Sequence, residues 1–227
     1  MQDNLNSKYK SIVDFLQMSS EIYFNETGIK VKIEIVNDFS FNARVSKIEE
    51  KVYKIEIRHG CLCLENLIEN ITNRYTEDDL KSFWRFRKLN IFEKNAGDTY
   101  REELNQLFGS IILLHIFFHE CGHITAKYID KENGTYAEMQ PSDNGGYEKQ
   151  EQEMVADWLS TKFLYKSMFF ATIGTDKIDF EELLSILEQL TILYWLSLTI
   201  EFQIFDSVHT GDVPDYSLLT HPHPAVR

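Results

Sequence analysis

Residues 104–128 read LNQLFGSIILLHIFFHECGHITAKY, and this stretch decides how the rest of the chain is interpreted. Its apolar residues are so dense that a helix here is buried on most sides, so we predict a central helix over about residues 99–128. The motif H-E-x-x-H lies within it, formed by His119, Glu120 and His123. Residues four apart share one helix face, so both imidazoles can bind one ion with Glu120 beside them. The pattern predicts two ligands of a tetrahedral Zn²⁺ and a carboxylate that can take a proton from water.

The neighbours of this motif bear on whether it is more than a chance arrangement in a helix. Two imidazoles and a carboxylate are costly to bury without partners, and a metal satisfies all three. Gly122 weakens a helix interior by about 0.5–1 kcal/mol relative to Ala, which predicts that another group approaches closely there. His115 lies one turn before His119, but a fourth protein ligand closes the site to water, so we expect a hydrogen-bonded core or supporting residue. Cys121 faces the other way, and we predict that it packs in the core.

A third ligand is predicted in residues 151–158, EQEMVADW, near the start of a later helix. Glu153 and Asp157 are four apart and share a face, so one carboxylate can bind the metal while the other accepts the free N–H of a ligating imidazole. We assign Glu153 as the ligand and Asp157 as the hydrogen-bond acceptor. Glu148 and Glu151 are typical of a solvated acidic helix start.

The regions around these helices predict a sheet followed by more helix. Apolar and charged residues alternate over 29–35 and again over 53–58, as in half-buried strands, and a short strand is predicted over 39–45. Helical spacing is found over the ranges 8–19, 62–71, 150–170 and 179–206, and another helix is predicted to begin at Thr76.

The predicted fold is therefore α+β and mostly helical, with a small antiparallel sheet before the H-E-x-x-H helix and a helical C-terminal half. We predict a single domain over residues 1–227, composed of a sheet-containing part (1–75) and a helical part with the zinc site (76–227). The polar, turn-rich segment 130–149 and the tail 207–227 are predicted to be irregular.

Composition excludes several classes of function. The 227 residues are 43% hydrophobic and 13% aromatic, which is enough to build a core. Thirty-six acidic and 23 basic residues give a formal net charge of −13, which disfavours binding to nucleic acid and to anionic membranes.

Localisation is inferred from the cysteines and the apolar stretches. Three cysteines, two of them in a C-x-C pair, are a poor disulfide framework and favour a reducing compartment. The first twenty residues lack the features of a secretory signal. Leu107–Phe118 is too short to cross a bilayer, and Leu190–Phe205 is interrupted by polar residues. We expect a cytoplasmic protein without membrane insertion, and the sequence leaves its oligomeric state open.

The combination of H-E-x-x-H with Glu153-x-x-Ala156-Asp157 resembles the gluzincin metallopeptidases, which pair H-E-x-x-H with a downstream E-x-x-x-D helix. The segment Tyr53–Leu64, YKIEIRHGCLCL, is similar to the entry to the zinc helix in the HtpX and CAAX-prenyl-protease-like family. The tail Thr220-His221-Pro222 followed by Arg227 is similar to that family's T-H-P-x(4)-R. The motifs also resemble those of the soluble Lit phage-exclusion protease, which is gluzincin-like. The resemblance implies a zincin-like domain. The membrane helices of the prenyl-protease group are absent from this sequence, so we expect a compact, soluble relative.

The resemblance also implies roles for individual residues. His119, His123 and Glu153 hold Zn²⁺, while Glu120 is the general base and later the acid that protonates the leaving amine. Asp157 orients an imidazole.

Two further roles concern substrate binding. The strand that ends near Arg58 is expected at the edge of the sheet, where a substrate peptide adds as a further strand. His221, or its neighbour His223, donates a hydrogen bond to the developing oxyanion. The alternative for both histidines is a surface loop without a catalytic role, and Arg227 is a candidate to fix the tail through a buried carboxylate.

These features predict a zinc-dependent endopeptidase that hydrolyses peptide bonds of an intracellular protein or peptide. One alternative is a catalytically silent, metal-dependent binding or regulatory module on a gluzincin-like fold. Glu120 argues against this alternative, since a purely structural metal site does not need a base. The other alternative is a helical interaction protein without a metal.

Overall fold

The structure is a computed structural model that describes residues 10–72, 98–126, 135–137, 146–173 and 180–208. Its elements, in chain order, are α1 (Lys10–Thr27), β1 (Lys30–Val36), β2 (Ala43–Glu49), β3 (Val52–Arg58), a 3₁₀ turn (His59–Leu62), α2 (Glu65–Thr72), α3 (Asp98–Thr125), β4 (Thr135–Ala137), α4 (Gly146–Ile173) and α5 (Phe180–Val208). Helix predominates over a small sheet, so the prediction of an α+β, mostly helical chain is confirmed. The helix predicted from Thr76 and the tail from residue 209 lie outside the described residues.

The sheet is mixed, so the prediction of an antiparallel sheet is wrong in part. The strand order is β1-β3-β2-β4. The strands β2 and β3 form an antiparallel hairpin, and β2 also pairs with β4 in antiparallel fashion, but β1 pairs with β3 in parallel. The chain reverses between β1 and β2, and the tight turn at Glu50 and Lys51 reverses it again, so β3 runs in the same direction as β1. Because β1 pairs with β3 and not with β2, this pairing is parallel.

The second strand begins four residues later than the predicted range 39–45. The preceding segment is occupied by a turn in which Asp38 accepts hydrogen bonds from the backbone N–H groups of Ser40 (2.9 Å) and Gly60 (3.1 Å). A Cβ on Gly60 would lie 2.3 Å from the Ser40 carbonyl oxygen, so only glycine fits here. Because the backbone of Phe39 and Ser40 packs against Gly60, these two residues are not part of a strand, and β2 begins at Ala43.

The two faces of the sheet follow the alternation in the sequence. On β3 the side chains of Tyr53, Ile55 and Ile57 are buried in the core. The opposite face of the sheet carries charged residues that form ion pairs. Arg44 of β2 pairs with Glu56 of β3, and Lys54 of β3 pairs with Glu34 of β1 and with Glu56 on its own strand. The alternating pattern therefore predicted correctly which face is buried.

Contacts divide the chain into two compact units. The described residues of the first are 10–62, 113–126, 135–137 and 146–164, and it contains the sheet and the H-E-x-x-H motif. Those of the second are 63–72, 98–112, 165–173 and 180–208. In the second unit α2 packs against α5. The prediction of a single domain stays a prediction.

Within the described residues, two helical segments are long and apolar enough to cross a membrane, judged by length and composition alone: Asn105–Thr125 and Leu183–Ile204. Both are longer than the apolar stretches considered in the sequence. The most apolar window of the first is 83% buried, as in the core helix of a globular protein, and that of the second is 38% buried. The expectation of a cytoplasmic protein without membrane insertion stays a prediction.

Candidate metal centre

The site is built where α3 and α4 come into backbone contact. A Cβ placed on Gly122 of α3 would lie 2.7 Å from both the Cα and the carbonyl oxygen of Ala156 on α4, closer than real Cβ atoms come. The predicted close approach at Gly122 is therefore confirmed, and its partner is the helix that carries Glu153 and Asp157. One further bond links the two helices in the core, since Ser160 Oγ donates to the carbonyl oxygen of His115 at 2.8 Å.

Three donor groups converge across this contact. His119 Nε2 lies 3.0 Å from His123 Nε2 and 3.0 Å from Glu153 Oε2, and His123 Nε2 lies 3.6 Å from Glu153 Oε1. All three side chains are buried. His119, His123 and Glu153 thus form a buried group that could hold a metal ion.

Asp157 orients the ring of His119 from the far side. The imidazole Nδ1 donates to Asp157 Oδ1 at 2.7 Å, so Nδ1 carries a proton and Nε2 is directed at Glu153 and His123. Burial alone lowers the pKa of His119, but the carboxylates of Asp157 and Glu153 outweigh it and hold that pKa well above its usual value. The same two carboxylates favour any cation at this position. The predicted contact between Asp157 and one of the two imidazoles is present.

The donor set fits a small divalent ion. In a tetrahedral Zn²⁺ site, bonds of about 2.0–2.2 Å to nitrogen and oxygen separate the ligand atoms by about 3.3–3.6 Å. The separations here are close to that range: 3.0 Å between the two Nε2 atoms, 3.0 Å from His119 Nε2 to Glu153 Oε2, and 3.6 Å from His123 Nε2 to Glu153 Oε1. His119, His123 and Glu153 would hold such an ion, which would replace the proton between His119 Nε2 and Glu153. Two imidazoles and one carboxylate would leave one position of a tetrahedral ion without a protein ligand.

The other polar residues of the motif helix occupy distinct positions. The side chain of Glu120 is fully buried, and Glu120 is not one of the three converging donors. His115 is buried too, with its ring centroid 6.5 Å from that of His119, and it also lies outside the donor set. Cys121 is fully buried, which confirms the prediction of a core position, and burial raises the pKa of its thiol. No disulfide links the three cysteines, all of which are described.

The structure corrects one prediction about substrate binding. The strand that ends at Arg58 is not at the edge of the sheet, because β3 pairs with β1 on one side and with β2 on the other. Its backbone donors and acceptors are therefore already used, and it cannot accept a further strand. Within the described residues the outer strands of this sheet are β1 and β4.

Several predicted residues cannot be placed against the site. His221, His223 and Arg227 lie outside the described residues, and so does the side chain of Glu148. Glu151 is exposed, as predicted for a solvated helix start.

Two residues near the site carry no obvious signal in the sequence. Ser160 follows Glu153 by seven residues, on the same stripe of α4, and this spacing is the only clue to its contact with α3. Tyr23 of α1 bonds to the carbonyl oxygen of Cys121, 98 residues away in the chain. Leu16 and Tyr23, both fully buried, are seven residues apart on one side of α1, and this spacing indicates the buried side of the helix but not the bond.

Comparisons with known proteins add no relative. No protein-family model matches the sequence, and no curated protein and no solved structure is similar enough to be counted as a match.

Proposed function

We propose that this chain is a zinc-dependent endopeptidase of gluzincin type that hydrolyses peptide bonds in an intracellular protein or peptide. One observation carries the proposal: two histidines of an H-E-x-x-H motif and a glutamate from a second helix converge within bonding range of one ion. The fold supports it, because the contact between Gly122 and Ala156 sets these two helices at backbone distance.

Each residue of the site has a role in this proposal. His119, His123 and Glu153 hold the ion. When bound, the ion supplies a Lewis acid that polarises the scissile carbonyl and lowers the pKa of a coordinated water to about 7. Glu120 takes a proton from the attacking water on its carboxylate and later gives that proton to the nitrogen of the leaving amine. Asp157 keeps the proton of His119 on Nδ1, so that Nε2 is free to bind.

The proposed role of His221 or His223 in stabilising the oxyanion follows from the similarity of the tail to the T-H-P-x(4)-R motif. A substrate strand, if it adds to the sheet, has to use β1 or β4 rather than the strand that ends at Arg58.

The depth of the site favours a second candidate. Glu120, His123 and Glu153 have no exposed surface and His119 is 3% exposed, so a peptide reaches them only after the surrounding chain opens. A closed metal site can stabilise a fold without any substrate. The second candidate is therefore a metal-dependent binding or regulatory module on the same fold.

The first experiment is metal analysis of purified protein with a matched histidine control. The parent is expected to bind about one Zn²⁺ per chain, and His119→Ala or His123→Ala to lose most of it. His115→Gln changes a buried histidine one turn away that is not a donor, and it is expected to keep the metal. Equal metal content in all four proteins contradicts the site, while a peptide-cleavage assay of Glu120→Gln separates the two candidate functions.

A further inference from the structure

The hydroxyl of Tyr23 contacts the turn that carries the candidate ligands. Tyr23 lies on α1 and is fully buried. Its Oη is 3.1 Å from the carbonyl oxygen of Cys121 and 2.8 Å from Thr125 Oγ1. Cys121 lies between His119 and His123, and Thr125 is the last residue of α3. A residue from the N-terminal helix thus holds the end of the motif helix.

The two hydroxyl hydrogens at this place allow three arrangements. Thr125 Oγ1 is also 2.9 Å from the Cys121 carbonyl oxygen, so three oxygen atoms form three contacts with two hydroxyl hydrogens. Both hydroxyls can donate to the carbonyl, or one of them donates to the carbonyl and the other donates to the first hydroxyl. In each arrangement at least one hydroxyl donates to the Cys121 carbonyl oxygen. Burial raises the pKa of Tyr23, which keeps its proton in place.

The ring of Tyr23 extends the same contact to the second ligand helix. It meets the ring of Phe163 on α4 edge to face, with centroids 5.2 Å apart. Phe163 in turn stacks on Phe118 of α3 at 5.7 Å. Tyr23 therefore touches α4 through its ring and α3 through its hydroxyl, and both attachments lie within the first unit.

We propose that Tyr23 is a positioning residue of the metal site, whose hydroxyl holds the turn from His119 to His123 in place opposite Glu153. The inference rests on the proposed function in so far as it requires a metal at the three donors. Helix ends fray because their last carbonyls lack partners within the helix, and His123 is two residues from the end of α3. If the turn is ordered before the metal binds, the free energy needed to order it does not reduce the metal affinity.

The test compares metal binding by the parent and by Tyr23→Phe, which keeps the ring and removes the hydroxyl. Zn²⁺ affinity is measured by competition with a chromophoric chelator, and the visible spectrum of the Co²⁺-loaded protein reports the coordination geometry. Tyr23→Phe is expected to bind Zn²⁺ about 3- to 10-fold more weakly, the ratio that one intramolecular hydrogen bond supplies. Its Co²⁺ bands are expected to shift as well.

Tyr165→Phe is the matched control. Tyr165 also pairs its hydroxyl with a threonine, Thr191, and packs edge to face on Tyr194 at 5.6 Å, but it lies in the second unit, which contains none of the donors. It is expected to keep the Zn²⁺ affinity and the Co²⁺ spectrum of the parent. If Tyr23→Phe behaves in the same way as this control, the positioning role is wrong.

A second variant covers the case in which Tyr23→Phe does not fold. Thr125→Val removes the two contacts that Thr125 Oγ1 makes and leaves the one from Tyr23 to the Cys121 carbonyl oxygen. It is expected to weaken Zn²⁺ binding in the same direction by a smaller factor, because the bond from Tyr23 remains. Unchanged affinity and spectrum in Thr125→Val then overturn the proposal. If the parent itself binds no metal, the proposed function fails and the role of Tyr23 fails with it, whereas normal metal binding in every variant contradicts the role of Tyr23 alone.

Discussion

Gly122 and Ala156 bring the two ligand-bearing helices into backbone contact, and this contact sets the geometry of the site. A Cβ at position 122 would lie only 2.7 Å from the Cα of Ala156, so the two helices pack at backbone distance. If either helix moves aside, the separation of His119 and Glu153 changes. Protein interiors are close-packed and transmit such shifts. The site therefore depends on the absence of a side chain as much as on the ligands themselves.

Gly122→Ala is expected to destabilise the protein and weaken metal binding. The added methyl group meets backbone atoms of Ala156, which cannot rotate away, so the free energy of unfolding should fall by about 1–3 kcal/mol. Urea unfolding of the metal-free protein measures the first effect, and chelator competition measures the second.

Gly109→Ala is the control on the same helix. A Cβ there would lie 3.5 Å from Ile68 Cδ1, an ordinary contact distance. Because alanine favours helix over glycine, this variant is expected to be more stable than the parent by about 0.5–1 kcal/mol. If both variants lose stability equally, the close approach of the two helices is not the cause.

Asp157 is expected to tune the metal affinity without holding the metal. Asp157→Ala removes the acceptor of the His119 Nδ1 proton and should weaken Zn²⁺ binding by about 10- to 100-fold. Asp157→Asn keeps an oxygen that can accept this proton but removes the charge, so a smaller loss is expected. Glu151→Ala, which changes an exposed carboxylate on the same helix, should bind as the parent does. Equal losses in Asp157→Ala and Glu151→Ala contradict the role of the contact.

The parts of the structure that the sequence could predict are those set by local geometry. Spacing of four residues on a helix determines that His119 and His123 share a face, whatever the rest of the chain does. Alternation determined the buried face of β3 in the same way. The direction of β1 relative to β3 depends instead on which edge of a hairpin remains open, and no local pattern encodes this choice. The bond between Tyr23 and Cys121 joins residues 98 apart and emerges only from packing.

The charged face of the sheet predicts a pH dependence of stability. The hydrogen bond from Arg44 lowers the pKa of Glu56 against the opposing effect of burial, and Lys54 adds to the lowering. The folded-state pKa thus lies below the unfolded value of about 4.3, so the stabilisation is present above that pH and is lost as the pH falls through the folded-state value. Glu56→Gln is expected to lower the free energy of unfolding at neutral pH by on the order of 1 kcal/mol.

The measurement is urea unfolding of the parent and Glu56→Gln at about pH 7, 5 and 3, where the difference should shrink at the lowest pH. Glu49→Gln, which changes an exposed residue of β2, serves as the control and should differ little from the parent at any pH. A difference for Glu56→Gln that stays constant down to the lowest pH contradicts an ionic contribution.

Glu120→Gln tests the chemistry of the site. The substitution keeps the shape of a fully buried side chain that is not one of the three donors, so Zn²⁺ content and thermal stability should stay near those of the parent. The amide cannot accept the proton of the attacking water, so peptide cleavage should fall by about 10²-fold or more. A proteome-wide comparison of new peptide termini produced by the parent and by Glu120→Gln supplies both the substrate and the measurement.

Glu151→Gln is the control for this comparison, because it makes the same chemical change at an exposed position of α4 and should produce the same termini as the parent. Each of the two variants removes one carboxylate, but only Glu120 lies in the H-E-x-x-H motif. Termini that are lost in Glu120→Gln and kept in Glu151→Gln therefore support a general base at position 120. If the parent and Glu120→Gln bind zinc equally and produce the same termini, Glu120 is not the base. The buried donor set then belongs to a metal-dependent binding module, the second candidate function, which the burial of the site already favours.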